Sequence, residues 1–329
     1  MRIFAAVAFA FAAALSPASA NDFPTKPIRI LVPYGPGGAT DIASRVLSET
    51  MREKLGQPIV IENKPGGSGV VALNEVVRAK PDGYTLVVGN ITTNLLNQLV
   101  GDVPMQFDPF KDLVPVARLV DIPGVFLATK VNFPPNTLKE VVEYAKSKPE
   151  GFLNHTTAGH LAYSHIDLLM FQKRAGIKMT SVPLRAGAGG GQIDMINGQI
   201  HVSMTNAATV LPLVKAGKIK ALAVTSEKRL AAYPDTPTMK EAGFEGIGTN
   251  AWQAAYAPAG TPKDVLEKLH KAFNDALPDE KVRKHLEEMQ FTVIPIASVD
   301  DAKAWMESER KHWAPIVEEA KVIVKEINK

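Results

Sequence analysis

The chain has 329 residues, of which 46% are apolar and 22% charged, and it contains no cysteine. This is the composition of a globular protein, and the absence of cysteine excludes a disulfide framework, a thiolate metal site and a cysteine nucleophile. Lys and Arg number 37 and Asp and Glu 34, which gives a formal charge of +3. That balance argues against a dedicated nucleic-acid or membrane-surface binder, so we expect no nucleic-acid partner. The length favours two domains over one.

The first twenty residues have the features of a secretory signal. Arg2 precedes an unbroken apolar run at residues 3–15, and Ala18-Ser19-Ala20 has the small-x-small form of a cleavage site. The run is shorter than the roughly twenty residues that a membrane-spanning helix needs. We therefore expect cleavage after Ala20 and a soluble periplasmic protein. The alternative is a retained N-terminal anchor.

Up to residue 121 the chain alternates between short apolar strands, loops rich in Gly and Pro, and helices with one apolar stripe. This order predicts a parallel sheet with right-handed crossovers. The predicted elements are strand 28–32, loop 33–38, a helix from Thr40-Asp41 to Gly56, strand 58–62, loop 64–69, helix 70–79 and strand 84–88.

Beyond residue 121 a similar alternation follows. We interpret residues 116–120 and 125–129 as two strands with a break at 121–124, and residues 248–258 as a connecting segment. The other predicted elements are helix 137–147, strand 152–155, helix 162–175, strand 179–182, helix 192–197, strand 201–204, helix 207–215, strand 221–225, helix 262–276 and a mostly helical end at 299–325. The sequence thus predicts an α/β protein with two halves.

Three loops of small residues precede predicted helices, at 33–41, 156–162 and 185–192. A helix start has unpaired backbone N–H groups and about half a positive charge, and small residues let an anion approach it closely. Two such loops from opposite halves would clamp a carboxylate or a dicarboxylate. The alternative is that each loop is only a tight connection.

The sequence lacks the motifs of several other functions. No Gly-Lys-Ser/Thr follows the glycine-rich loops, and Thr40 stands where a dinucleotide fingerprint would have its third Gly. No Gly-x-Ser-x-Gly elbow is present. His155, His160 and His165 are spaced by five, which does not place them on one helical face. We therefore expect no enzyme activity, no catalytic residue, no metal and no cofactor.

Several segments together resemble a known family. They are FPTKPIR at 23–29, VPYGPGGATD at 32–41, LGQPIVIENKPG at 55–66, AKPDGYTL at 79–86, KAGK at 215–218, ALAVTS at 221–226, PDTPTMKEAG at 234–243 and APAGTP at 257–262. In these segments the chain is similar to the tripartite tricarboxylate transporter substrate-binding family, the Bug-type periplasmic solute-binding receptors. The resemblance covers essentially all of residues 22–329.

The resemblance implies a two-lobed periplasmic binding protein fold of type II, with a ligand cleft between mostly parallel α/β lobes. On this basis we expect lobe 1 at residues 21–121 and 252–329 and lobe 2 at 122–251. It also implies a monomer that captures a small organic carboxylate or dicarboxylate by lobe closure and delivers it to a membrane permease of the tripartite tricarboxylate type.

In the family, two loops hold a carboxylate between them. The matching residues here are Tyr34, Gly37, Gly38, Ala39, Thr40 and Asp41 in the first loop, and Thr156, Thr157, Ala158 and Gly159, leading to His165, in the second. The chain departs from the family at residues 159–162, where a Gly and a Ser are replaced. It departs again at residues 183–186, where Arg185 replaces a lysine. Arginine can grip a carboxylate with two hydrogen bonds, so we expect Arg185 to contact the ligand.

Five further residues are candidates for the cleft. Asn90, Thr92 and Asn206 follow predicted strands, and Trp252 lies in the second connecting segment. Capping or strand-end pairing is the alternative role for each. Thr205 is neutral where many family members have an acid, which argues against a ligand with an ammonium group.

Two other functions compete with transport. The same closed form could present its ligand to a membrane histidine kinase as a sensor, and lost induction with normal uptake in a deletion strain would favour this. The chain could also be an exported hydrolase, although no nucleophile–base pair is legible. Turnover of a bound ligand would favour the hydrolase.

Overall fold

The computed structural model describes residues 23–156, 159–182 and 187–327, with the backbone alone for 187–190. Its strands are β1 (Ile28–Val32), β2 (Ile59–Asn63), β3 (Thr85–Asn90), β4 (Leu113–Thr129), β5 (Gly151–Thr156), β6 (Met179–Ser181), β7 (Val202–Asn206), β8 (Ile219–Val224), β9 (Asn250–Pro258) and β10 (Thr292–Val293). Its α-helices are α1 (Ala39–Leu55), α2 (Val70–Val77), α3 (Asn97–Val100), α4 (Pro109–Asp112), α5 (Leu138–Lys146), α6 (Tyr163–Ala175), α7 (Gly187–Ile196), α8 (Ala207–Lys215), α9 (Lys263–Ala276), α10 (Glu280–Glu288) and α11 (Val299–Ile327). A 3₁₀ turn, Gly67–Gly69, precedes α2, and a π-helical turn, Thr92–Leu96, precedes α3.

The strands form one mixed sheet with the order β2-β1-β3-β9-β4-β7-β5-β6, and β8 and β10 also pair with β4. We call β1, β2, β3, β9, β10 and residues 113–123 of β4 the first section, and β5 to β8 with residues 124–129 of β4 the second section. Parallel pairs join β1 to β2 and β3, and β5 to β6 and β7. The strands that cross the middle are antiparallel, so the sheet is less parallel than the sequence predicts.

Two elements differ from the sequence prediction. The break predicted at residues 121–124 does not exist, because β4 runs unbroken through Pro123 and Gly124. Pro123 pairs with Asn250 of β9 and Gly124 with Asn206 of β7, so the chain changes partner there without leaving the extended conformation. The connecting segment predicted at 248–258 is mostly a buried strand, β9, between β3 and β4.

Helices cover both faces of the first section. On one face Leu47 of α1 and Phe273 of α9 pack in the same core as Ile30. On the other face α2, α3 and α11 share a core with Leu31 and Val87, and α6 of the second section joins this core through Tyr163, Ile166 and Leu169. The start of α6 therefore lies against the first section. Within the described residues no helix is long and apolar enough to cross a membrane.

Candidate functional site

The first loop ends where α1 begins, and its backbone is held from within the chain. Gly38 precedes α1 in an extended conformation, without a side-chain cap. Gly37 has a positive φ of 79°, and its N–H donates to Oδ2 of Asp41 at 2.9 Å. The Gly37 N–H is therefore engaged by the protein.

Asp41 holds the loop through several bonds. Its Oδ1 accepts from Nε of Arg45 and from Nδ2 of Asn63, each at 2.9 Å. Burial acts to raise the pKa of Asp41, but the hydrogen bonds from Arg45, Gly37 and Asn63 outweigh it and bring the pKa below its usual value. Asp41 thus makes bonds within the protein, and its contact with a ligand stays a prediction.

Tyr34 and Asn90 come together beside this loop. The Tyr34 hydroxyl donates to Oδ1 of Asn90 at 2.8 Å, and the same oxygen accepts from the backbone N–H groups of Thr92 and Thr93. Burial raises the pKa of Tyr34, so the hydroxyl keeps its proton as a donor. The structure thus brings three predicted residues, Tyr34, Asn90 and Thr92, into one cluster.

The second section supplies a matching group. Helix α6 begins after Ala162, again without a side-chain cap, and Nδ1 of His165 accepts from the N–H of Leu161 at 3.0 Å. The Tyr163 hydroxyl donates to Oδ1 of Asn206 at 2.7 Å. Burial, with the nearby Asp167 and Tyr34, raises the pKa of Tyr163. Tyr34 and Tyr163 therefore interact electrostatically across the two sections.

The remaining predicted residues of the second section lie around the ends of β5 and β7. Thr156 donates its hydroxyl to the carbonyl of Val182 at 2.9 Å, and Thr205 pairs with Val125 inside the sheet. Gly159 precedes α6 and is within the described chain. Thr157, Ala158 and Arg185 lie outside the described residues, so their roles stay predictions.

The three histidines cluster without forming a metal centre. Burial lowers the pKa of His155 to about 4 and that of His165 to about 3, so both rings are neutral at physiological pH. His160 lies 3.3 Å from Asp102 near the surface. Among the residues that the structure covers, no group of three His, Cys, Asp or Glu side chains could hold a metal ion.

Trp252 does not join Tyr34, Asn90, Thr92, Tyr163 and Asn206, which we call the Tyr34–Tyr163 group. Its indole N–H donates to Oε2 of Glu309 on α11 at 2.8 Å, and it lines a separate cavity. The next residue, Gln253, accepts instead from the Thr40 hydroxyl at 2.6 Å. Because successive side chains of a strand point to opposite faces, Trp252 faces away from Thr40.

Sequence reasoning missed two residues of this site, Tyr163 and Gln253. Tyr163 follows the predicted second loop directly, so its position at the helix start was a usable signal. Gln253 had no such signal, because the sequence analysis interprets its segment as a connector. The hydroxyls of Tyr34, Tyr163 and Thr40 donate within the protein, so the donors that this site can offer an anion are carboxamide NH₂ and backbone N–H groups.

The family model described as "Tripartite tricarboxylate transporter family receptor" (TctC) matches residues 43–322. Protein BugT of Bordetella pertussis (strain Tohama I) is 30% identical over 304 residues, which cover 92% of this chain and 92% of BugT.

Solved structures agree with this match over nearly the whole chain. MatC (Rpa3494) from Rhodopseudomonas palustris, with bound malate, has a TM-score of 0.80 and 32% identity, covering 90% of this chain and 100% of MatC. R. palustris Rpa4515, with adipate, has a TM-score of 0.82 and 29% identity, covering 91% of this chain and 99% of Rpa4515. The expected two-lobed type II fold of periplasmic binding proteins is confirmed. The chain belongs to the tripartite tricarboxylate transporter family of receptors, the Bug-type periplasmic solute-binding proteins.

Proposed function

We propose that this protein is a periplasmic receptor that captures a small organic carboxylate or dicarboxylate and hands it to a membrane permease of the tripartite tricarboxylate type. In this proposal the signal is removed after Ala20, and the mature chain is a monomer without a cofactor. Lobe 1 comprises residues 21–121 and 252–329, and lobe 2 comprises residues 122–251. The lobes close on the ligand without transforming it.

The observation that supports this function most directly is the pair of uncapped helix starts, one in each section. Helices α1 and α6 both begin without a side-chain cap, and Tyr34 and Tyr163 beside them interact electrostatically. Each start offers N–H groups and a partial positive charge to an anion. Closure would remove water and strengthen these contacts, because the local dielectric constant falls.

The solved relatives suggest which acids to test first. MatC is described with malate and Rpa4515 with adipate, and both ligands are dicarboxylates of different length. Two opposed helix starts suit a ligand with a negative charge at each end. A dicarboxylate is therefore our first choice for this chain, and monocarboxylates are the second.

Ligand binding should raise the melting temperature of the purified mature chain. A ligand that binds only the folded protein stabilises it by about 2.7 kcal/mol at one hundred times its Kd, which corresponds to several degrees. Malate, adipate and monocarboxylates would be compared with neutral diols of the same length by thermal shift and calorimetry. No shift with any carboxylate at millimolar concentration, or equal shifts with the diols, would overturn the proposal.

A further inference from the structure

Gln253 lies directly beneath the start of α1 and is fully buried. It is part of β9, where it pairs with Asn90 of β3 on one side and Val120 of β4 on the other. Its Oε1 accepts from the Thr40 hydroxyl at 2.6 Å, and Thr40 is the second residue of α1. Since the amide nitrogen shares its carbon with that oxygen, Nε2 also lies close to this helix start.

Nε2 of Gln253 is buried and has no hydrogen-bond partner among the described residues. The obvious neighbouring acceptor, Oδ1 of Asn90, already accepts from Tyr34, Thr92 and Thr93. A buried donor without an acceptor destabilises the folded state, so proteins rarely retain one. The part of the chain that the structure describes therefore leaves this donor, beside the first loop, without an acceptor.

We propose that Gln253 determines ligand specificity in this cleft by donating through Nε2 to a carboxylate oxygen held at the start of α1. Thr40 acts as a positioning residue, because its hydroxyl holds Oε1 and leaves the NH₂ end for the ligand. The NH₂ group can only donate, so it favours an acceptor oxygen over an amine or an amide N–H. This inference rests on the proposed function and adds to it a recognition residue.

The test uses Gln253→Met, which keeps the side-chain length and removes the donor. We expect malate or adipate, whichever binds the wild type, to bind about 10- to 100-fold more weakly by calorimetry. The melting temperature of the ligand-free variant reports two opposing changes, because the substitution removes the unpaired donor and also the acceptor of the Thr40 hydroxyl. Gln253→Glu still accepts from Thr40 but brings a negative charge to the ligand, so its loss of affinity should be larger.

Gln172→Met is the matched control. This buried carboxamide is fully engaged, since Oε1 accepts from the Met179 N–H and Nε2 donates to the Leu168 carbonyl. We expect a lower melting temperature and an unchanged Kd.

Three outcomes would overturn the inference. An unchanged Kd for Gln253→Met with normal wild-type binding overturns this inference alone. An unchanged Kd with a lower ligand-free melting temperature gives Gln253 only a structural role, through its bond from Thr40, and also overturns it. Wild type that binds no carboxylate overturns the proposed function and the inference together.

Discussion

Asp41 lies in the first turn of α1, and its carboxylate binds groups of the protein on three sides. Both oxygens are engaged, by Gly37, Arg45 and Asn63, and the side chain is almost fully buried. These bonds fix the loop that leads into α1. The residue type and position alone could not separate this role from direct ligand contact, because either role needs an acid in the first turn of a helix.

We predict that Asp41→Asn lowers the free energy of unfolding by about 1.5–3 kcal/mol at neutral pH, the cost of losing charged hydrogen bonds. It should also weaken ligand binding, because the loop backbone loses its anchor. The pKa of Asp41 is below its usual value in the folded state, so its contribution is present above about pH 4 and disappears as the pH falls through the folded pKa. Urea unfolding of both proteins across the acid range measures this.

Asp279→Ala provides the comparison for Asp41→Asn. Asp279 caps α10 by accepting from the N–H groups of Lys281 and Val282, and α10 packs in the core on the α1 and α9 face of the first section. Its loss should cost about 1 kcal/mol of stability and leave the affinity unchanged. If Asp41→Asn behaves in the same way, the loop does not depend on Asp41.

At the scale of elements, the turn before α2 supports the cleft through close packing. Gly69 has a φ of 94°, and a Cβ there would lie 2.3 Å from Cγ2 of Thr93 and 3.1 Å from Cβ of Pro33. Pro33 opens the first loop, and Thr93 donates to Asn90. The turn and the site are therefore in direct contact.

Gly69→Ala should destabilise the protein through both backbone strain and overpacking, about 1–2 kcal/mol for the first and 1–3 kcal/mol for the second. Gly101→Ala is the control, because Gly101 has a similar φ of 78° and nothing within 4 Å of the added Cβ. Only the strain cost applies there. Chemical denaturation of the two variants measures the difference, and equal losses would contradict the packing argument.

The elements also show how far sequence patterns reach. Strand β1 and helix α8 have the predicted bounds, because each has a clear apolar pattern with turn or capping residues beside it. The sequence prediction divides β4 into two strands, because Pro123 and Gly124 are local signals of a break. It interprets β9 as a connecting segment, because Gly248 gives a similar signal just before it. Their extended conformation is fixed by partners far along the chain, which a local pattern does not contain.

The candidate site divides in the same way. Asn90 and Asn206 could be named from sequence because each follows a predicted strand, and Tyr34 could be named because it matches the first loop of the family. The role of Gln253 and the direction of the Trp252 side chain could not be predicted from sequence, because both depend on β9 lying between β3 and β4. The position of such a side chain is set by which strands pair in the assembled sheet, and a local sequence pattern does not contain that information.

For the whole molecule, one buried acid links α6 to the segment that enters β9. Both oxygens of Asp167 accept from Thr249, from its N–H at 2.9 Å and its hydroxyl at 2.8 Å. Asp167 also lines a cavity of about 260 Å³ between α6 and α11, together with Trp252 and Glu309. Burial raises the pKa of Asp167 to about 7, although the bonds from Thr249 oppose it.

A raised pKa makes this acid a source of instability as the pH rises. The folded protein keeps the proton on Asp167 up to about pH 7, whereas the unfolded chain loses it near pH 4, so stability falls between these values and then levels off.

Asp167→Asn should remove this part of the pH dependence. The variant should therefore gain stability relative to the wild type as the pH rises from about 4 to 7, by on the order of 3–4 kcal/mol. Asparagine can replace both bonds, because its oxygen accepts from the Thr249 N–H and its NH₂ donates to the hydroxyl. Urea unfolding of both proteins at each pH gives the difference directly, and a difference that does not vary with pH would show that Asp167 is already ionised in the folded protein.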